Sequence, residues 1–140
     1  MATIKRIIFD LDNTLIMWKK EYLSAIKAAV KEFNIDYSYK EIDAIAATYE
    51  ENYDFYSIKN FKEHIKKSLN LEVSEDFIIK WLEYLGKTNG ANPKVNKALE
   101  YLSSKYELVV LTNWFQECQA KRLESANMLK YFKEVIGGDK

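Results

Sequence analysis

The stretch Ile4-Lys5-Arg6-Ile7-Ile8-Phe9-Asp10-Leu11-Asp12-Asn13-Thr14-Leu15 decides the fold. Ile7, Ile8 and Phe9 follow one another with no polar alternation, the pattern of a strand covered on both faces, as in a parallel sheet. The run ends in two acids and a turn-capable Asn13-Thr14. In open α/β sheets the carboxyl ends of the strands are where sites lie. Side chains alternate along an extended chain, so Asp10 and Asp12, two residues apart, can face one site together. Two carboxylates held there need a cation or a proton. Mg²⁺ suits them, because it takes oxygen ligands and keeps waters that a phosphate can replace. An aspartate beside such a metal can act as nucleophile while its neighbour moves the proton. Spacing alone leaves a second reading open: two solvated acids in a turn after a strand.

Beyond this strand, residues 18–85 read as helix after helix. Tyr22, Ile26, Ala29, Val30 and Phe33 recur at helical spacing. Ser38 with Glu41 predicts a capping box opening a second helix, with Ile42, Ile45, Ala46, Tyr49 and Tyr53 on one face. Ile58, Phe61, Ile65 and Leu69 mark a third. A fourth begins at Ser74, carries Glu75 and Asp76 in its first turn, buries Phe77, Ile78, Trp81, Leu82 and Leu85, and ends near Gly86. Four amphipathic helices with short joins predict a small bundle. The stretch GKTNGANP, residues 86–93, is the clearest linker, and Asn92-Pro93 opens another helix with Val95, Ala98, Leu99 and Leu102 inward. Leu108-Val109-Val110-Leu111 predicts a second apolar strand, ending in Thr112-Asn113. A helix from about Phe115 to Ala126 and a third strand at Val135-Ile136 follow. The order strand, helical insert, helix, strand, helix, strand is an α/β unit with an all-α insertion.

Composition agrees and excludes several classes. The 140 residues are 48% hydrophobic and 14% aromatic, enough for one domain with its own core. Lys plus Arg and Asp plus Glu are both 21, so no basic excess points to nucleic acid. One cysteine, Cys118, and one histidine, His64, exclude an intramolecular disulfide and argue against a Cys/His metal cluster. No run approaches the roughly 20 apolar residues of a spanning helix, and the N-terminus lacks a signal-type apolar region. A cytoplasmic protein without a membrane partner is the expectation.

The stretch IIFDLDNTL resembles motif I of the haloacid dehalogenase (HAD) superfamily: apolar strand, Asp, any residue, Asp, any residue, Thr, apolar. LVVLTN, residues 108–113, resembles motif II, an apolar strand ending in Thr or Ser and often Asn. The helical insert resembles the cap placed directly after motif I. The resemblance implies a Rossmann-like parallel sheet with an inserted all-α helical-bundle cap. The core would be residues 1–16 and 87–140, and the cap residues 17–86. It implies that Asp10 is the nucleophile forming an aspartyl-phosphate, and that Asp12 protonates the leaving alcohol and then activates water. The Asp10 side chain and the Asp12 main-chain carbonyl would bind Mg²⁺. Thr112 and Asn113 would bind the transferring phosphoryl group, the substrate being a small phosphorylated metabolite. Dehalogenases of the superfamily resemble a pattern without Asp at the position of Asp12, so its presence favours phosphate-ester hydrolysis.

The family pattern also contains a third motif, a Lys, and a fourth, an acidic pair completing the Mg²⁺ site. This chain stops at Gly137-Gly138-Asp139-Lys140, and Lys140 falls eight residues after Phe132, earlier than the family's lysine. The expectation is a C-terminally incomplete HAD chain. Alone it should bind Mg²⁺ weakly, turn over little, and pair the free edge of its first strand in a homodimer or with the absent C-terminal segment. The alternative function is a non-catalytic or regulatory HAD-like domain. Cys118 is expected to be a small buried or half-buried residue and His64 a surface helix residue. Tyr49, Tyr53, Phe55 and Tyr56 are expected to pack together, Trp18 to sit at the cap hinge, and Trp114 to shield the site.

Overall fold

A computed structural model describes residues 3–17, 19–54, 56–88 and 90–139. Three strands, β1 (Arg6–Phe9), β2 (Glu107–Leu111) and β3 (Glu134–Ile136), form a parallel sheet in that order. Phe9 pairs with Val110, and Leu111 with Ile136. Parallel neighbours need a crossover connection. The first crossover holds the helical insertion α1 (Lys19–Glu32), α2 (Tyr39–Ala46), α3 (Ile58–Leu69) and α4 (Glu75–Gly86), then α5 (Pro93–Ser103). The second holds α6 (Gln116–Ser125). The fold class is therefore the one expected, an α/β parallel sheet with an all-α insertion after its first strand.

Local chemistry sets most boundaries. Ser57 Oγ accepts from the Asn60 amide at 3.0 Å, and Ser74 Oγ accepts from the Phe77 amide at 3.1 Å, each satisfying one orphan donor of a first turn. Asn92 accepts from the Lys94 amide, with Pro93 in the first turn of α5. Ser38 takes the N-cap position of α2, but its side chain makes no capping bond, so the expected capping box with Glu41 does not form there. The face expected to run to Tyr53 is also broken. α2 stops at Ala46, and a 3-10 turn at Tyr49–Glu51 follows. That turn brings Tyr49 onto the rings of Tyr53, Tyr56 and Phe61, at 4.9, 4.5 and 5.2 Å between centroids.

Two apolar clusters hold the molecule together. One fills the helical insertion around Tyr49, Phe61, Phe77, Ile78 and Trp81, and takes in Trp114, Phe115 and Cys118 from the segment after β2. The other packs α5 and the end of α6 on Ile7, Phe9, Leu108, Val110 and Val135. These sheet residues belong to one face, by alternation. On the other face Ile8 is 61% exposed and Leu111 53%. The expectation that β1 is covered on both faces is corrected: α5 and α6 sit over the Ile7/Phe9 side, and no described residue buries Ile8.

His64 also departs from expectation. It is 4% exposed, its Nε2 within 3.0 Å of both Thr48 Oγ1 and the Ile45 carbonyl oxygen. The polar groups left by the end of α2 give the imidazole a buried berth. Cys118 is buried, and Tyr49 and Tyr56 pack as expected. Trp18, Phe55 and Lys140 lie outside the described residues.

Candidate active site

Because β1 and β2 run parallel in register, their carboxyl ends lie side by side. Asp10 follows Phe9 directly, and Thr112-Asn113 follows Leu111, so both sequence motifs reach the same edge of the sheet. After Asp10 the chain folds into a tight loop. The Leu11 carbonyl accepts from the amides of Thr14, Leu15 and Ile16, and the Asn13 amide donates to the Ile16 carbonyl at 2.7 Å. Asn13 holds φ 62°, a left-handed conformation that asparagine tolerates better than most residues. Asp10 is exposed at the sheet edge, and Asp12 is half-buried.

Asp12 sits in a dense polar cluster. Arg122 Nη1 donates to its Oδ1 at 2.6 Å. Gln119 Nε2 and the Tyr22 hydroxyl donate to its Oδ2 at 3.0 and 3.1 Å. Gln119 Nε2 also reaches Thr112 Oγ1 at 2.9 Å, while its Oε1 accepts from Arg122. The other arm of Arg122 donates to Glu21 Oε2 at 3.1 Å. Burial works against the Arg122 charge, but Tyr22, Asp12 and the bonds to Asp12 and Glu21 carry its pKa above the usual value. Burial first, and then the Asp12 charge, pushes the Tyr22 phenol well up, so it stays a donor.

A cavity of about 270 Å³ opens over this cluster, lined by Asp12, Asn13, Tyr22 and Asn113, and across from them by Asp43, Glu50 and Tyr56 of the insertion. Asn113 Nδ2 donates to Glu50 Oε2. Burial, then the charge of Glu50, pushes the Tyr56 phenol up. Thr112 is buried, with its hydroxyl accepting from Gln119. Of the four residues expected at the site, Asp12 and Asn113 line the cavity. Asp10 stands at the adjoining sheet edge and Thr112 lies behind.

Tyr22, Gln119 and Arg122 were not legible as site residues. Gln119 and Arg122 stand three apart on α6, so they share a face, and that is the one local signal they offer. Asp139 does not line this cavity but caps α6, its Oδ1 accepting from the amide of Gln116 at 2.8 Å. The turn before it needs glycine. A Cβ on Gly137 would lie 2.4 Å from backbone atoms of Gln116.

A metal would find hard oxygen donors here in the Asp10 carboxylate and the Asp12 main-chain carbonyl. Both Asp12 carboxylate oxygens are already taken by donors. No group of three or more His, Cys, Asp or Glu that could hold a metal occurs among the described residues. The donors present fit part of a magnesium shell, which keeps several waters and uses one or two carboxylates with substrate phosphate.

The family model for haloacid dehalogenase-like hydrolases matches residues 7–140. Phosphoglycolate phosphatase from Aquifex aeolicus (strain VF5) is 28% identical over 138 residues, covering 95% of this chain and 60% of that protein. Among solved structures, the HAD-hydrolase YfnB from Bacillus subtilis, bound to magnesium, superposes with a TM-score of 0.69 at 18% identity, over 97% of this chain and 66% of that one. L-2-haloacid dehalogenase from Xanthobacter autotrophicus, with chloropropionic acid covalently bound, gives 0.66 at 16% identity, over 96% of this chain and 57% of that one. These two likenesses concern the fold. The chain thus spans three fifths of the length of its curated relative. It belongs to the haloacid dehalogenase-like hydrolase family.

Proposed function

We propose that this member of the haloacid dehalogenase-like hydrolase family hydrolyses a small phosphate monoester, with Asp10 as nucleophile and Asp12 as proton donor and acceptor. The observation that carries the reading is the pairing of two loops at one sheet edge. The Asp10–Asp12 loop and the Thr112-Asn113 turn leave adjacent parallel strands and border the same small cavity. Phosphoryl transfer asks chiefly for positioning and charge neutralisation; the two loops serve the positioning, and a bound Mg²⁺ would supply the neutralisation. Asp10 attacks phosphorus and becomes an aspartyl-phosphate. Asp12 gives its proton to the departing ester oxygen and later takes one from the water that hydrolyses the acyl-phosphate. The Thr112 hydroxyl, accepting from Gln119, keeps its own proton to donate to a phosphoryl oxygen. The Asp10 carboxylate and Asp12 carbonyl would hold Mg²⁺, which when bound neutralises charge on the phosphoryl oxygens.

We assign residues 17–86 as a cap that closes over the substrate's leaving group, on residues 1–16 and 87–140 as core. The relative that acts on phosphoglycolate supports phosphate-ester chemistry. Asp12 supports it over dehalogenation despite the dehalogenase of like fold. The test is phosphate release by the full-length protein with Mg²⁺ over a panel of phosphomonoesters. Turnover that disappears on chelation and in Asp10→Asn is the expected result. Inactivity across the panel would overturn the reading.

A further inference from the structure

We propose that Arg122 is the positioning residue for Asp12, fixing its carboxyl so that one oxygen can serve the leaving group. The proposal rests on the phosphatase reading above. Arg122 is 0% exposed, and an interior guanidinium is costly unless paired. Its pairing is directed at the site. Nη1 holds Asp12 Oδ1 at 2.6 Å, Nη2 holds Glu21 at 3.1 Å, and the group lies 4.9 Å above the Tyr22 ring. Its Nε finds no partner among the described residues. A guanidinium serving packing alone would not leave a buried donor unmet while aiming its fork at two carboxylates.

The two Asp12 oxygens are held unequally. Oδ1 takes its bond from the Arg122 cation, while Oδ2 takes bonds from the neutral donors Gln119 and Tyr22. All three bonds end on a carboxylate, but only Oδ1 meets a full positive charge, and at 2.6 Å against 3.0 and 3.1 Å. Oδ2 is therefore the oxygen that can be released, and Tyr22, which lines the cavity beside it, is the donor a leaving group displaces. With Oδ1 pinned, the carboxyl cannot rotate away. A proton on Oδ2 passes to the ester oxygen as the P–O bond breaks, its electron pair staying on that oxygen and Asp12 remaining as carboxylate. Gln119 bonds both Asp12 and Thr112, so the clamp also fixes the proton donor relative to the phosphoryl-binding hydroxyl.

The test compares two esters on the full-length protein. An alkyl phosphate needs a proton on its leaving oxygen, whereas dinitrophenyl phosphate expels a stable phenolate unaided. Arg122→Met should lower kcat on the alkyl ester by about 10²-fold, the scale of general-acid catalysis, and on the dinitrophenyl ester about tenfold less. Arg122→Lys keeps the buried charge but not the fork, and should shift the ratio the same way by a smaller factor. If Arg122→Met does not fold, the lysine variant decides. Equal losses on both esters, in whichever variant folds, would overturn the role and leave Arg122 structural. Wild-type protein inactive on both esters would overturn the phosphatase reading and this proposal together.

Discussion

The residues nearest the proposed chemistry divide by how far apart in the chain their partners stand. Asp10, Asp12, Thr112 and Asn113 belong to short runs at strand ends, so their placement was legible in the sequence. Arg122 reaches Asp12 across 110 positions, and no periodicity records such a pair. The burial of His64 is hidden from the sequence for the same reason, since its partners Ile45 and Thr48 lie at and just past the end of another helix, α2. Cys118 gives a test at this scale. Burial pushes its thiol up to about 12 from a usual 9.0, against the pull of the Arg122 charge. The folded state thus favours the protonated thiol. Its contribution to stability is complete below about pH 9 and is lost as pH rises toward 12. Native protein at pH 8 should resist iodoacetamide and react on unfolding. The denaturation midpoint should fall between pH 8 and 10, and fall less in Cys118→Ala. Fast alkylation of the native protein would contradict this.

Among the elements, the sequence pattern located all three strands and α1 to α6, overrunning only the end of α2. It failed where a side chain's tertiary partners overrode the local pattern. The stretch after Ala46 has helical spacing, yet stacking of Tyr49 on Tyr56 and Phe61 is satisfied by a 3-10 turn instead. Caps show the same limit. Ser38 and Ser74 both occupy N-cap positions, but only Ser74 makes the side-chain bond. Ser74→Ala should therefore cost about 1 kcal/mol, and Ser38→Ala less than about 0.5 kcal/mol, in urea melts. Equal costs would show that the two caps do not differ in solution.

Across the whole molecule, the parallel sheet and its helical insertion were readable, but the cover of the sheet was not. Ile7-Ile8-Phe9 encodes a strand apolar on both sides, while α5 and α6 pack on one. Ile8 and Leu111 stay open on the other, and β1, at the end of the sheet order, has one unpaired edge. Bare apolar edges template pairing. The 140-residue chain alone should self-associate in light scattering, and Ile8→Lys should reduce that association. A strictly monomeric chain at high concentration would count against an unmet edge. The central claim, however, is covalent chemistry at Asp10. The most direct measurement is acid quenching of the full-length protein during turnover of a radiolabelled phosphomonoester, with peptide mapping of the label. The account predicts phosphoryl label on the peptide containing Asp10, sensitive to hydroxylamine, and absent from Asp10→Asn, whose turnover falls by several orders of magnitude. Turnover with no labelled Asp10, or an Asp10→Asn variant retaining a tenth of wild-type rate, would contradict it.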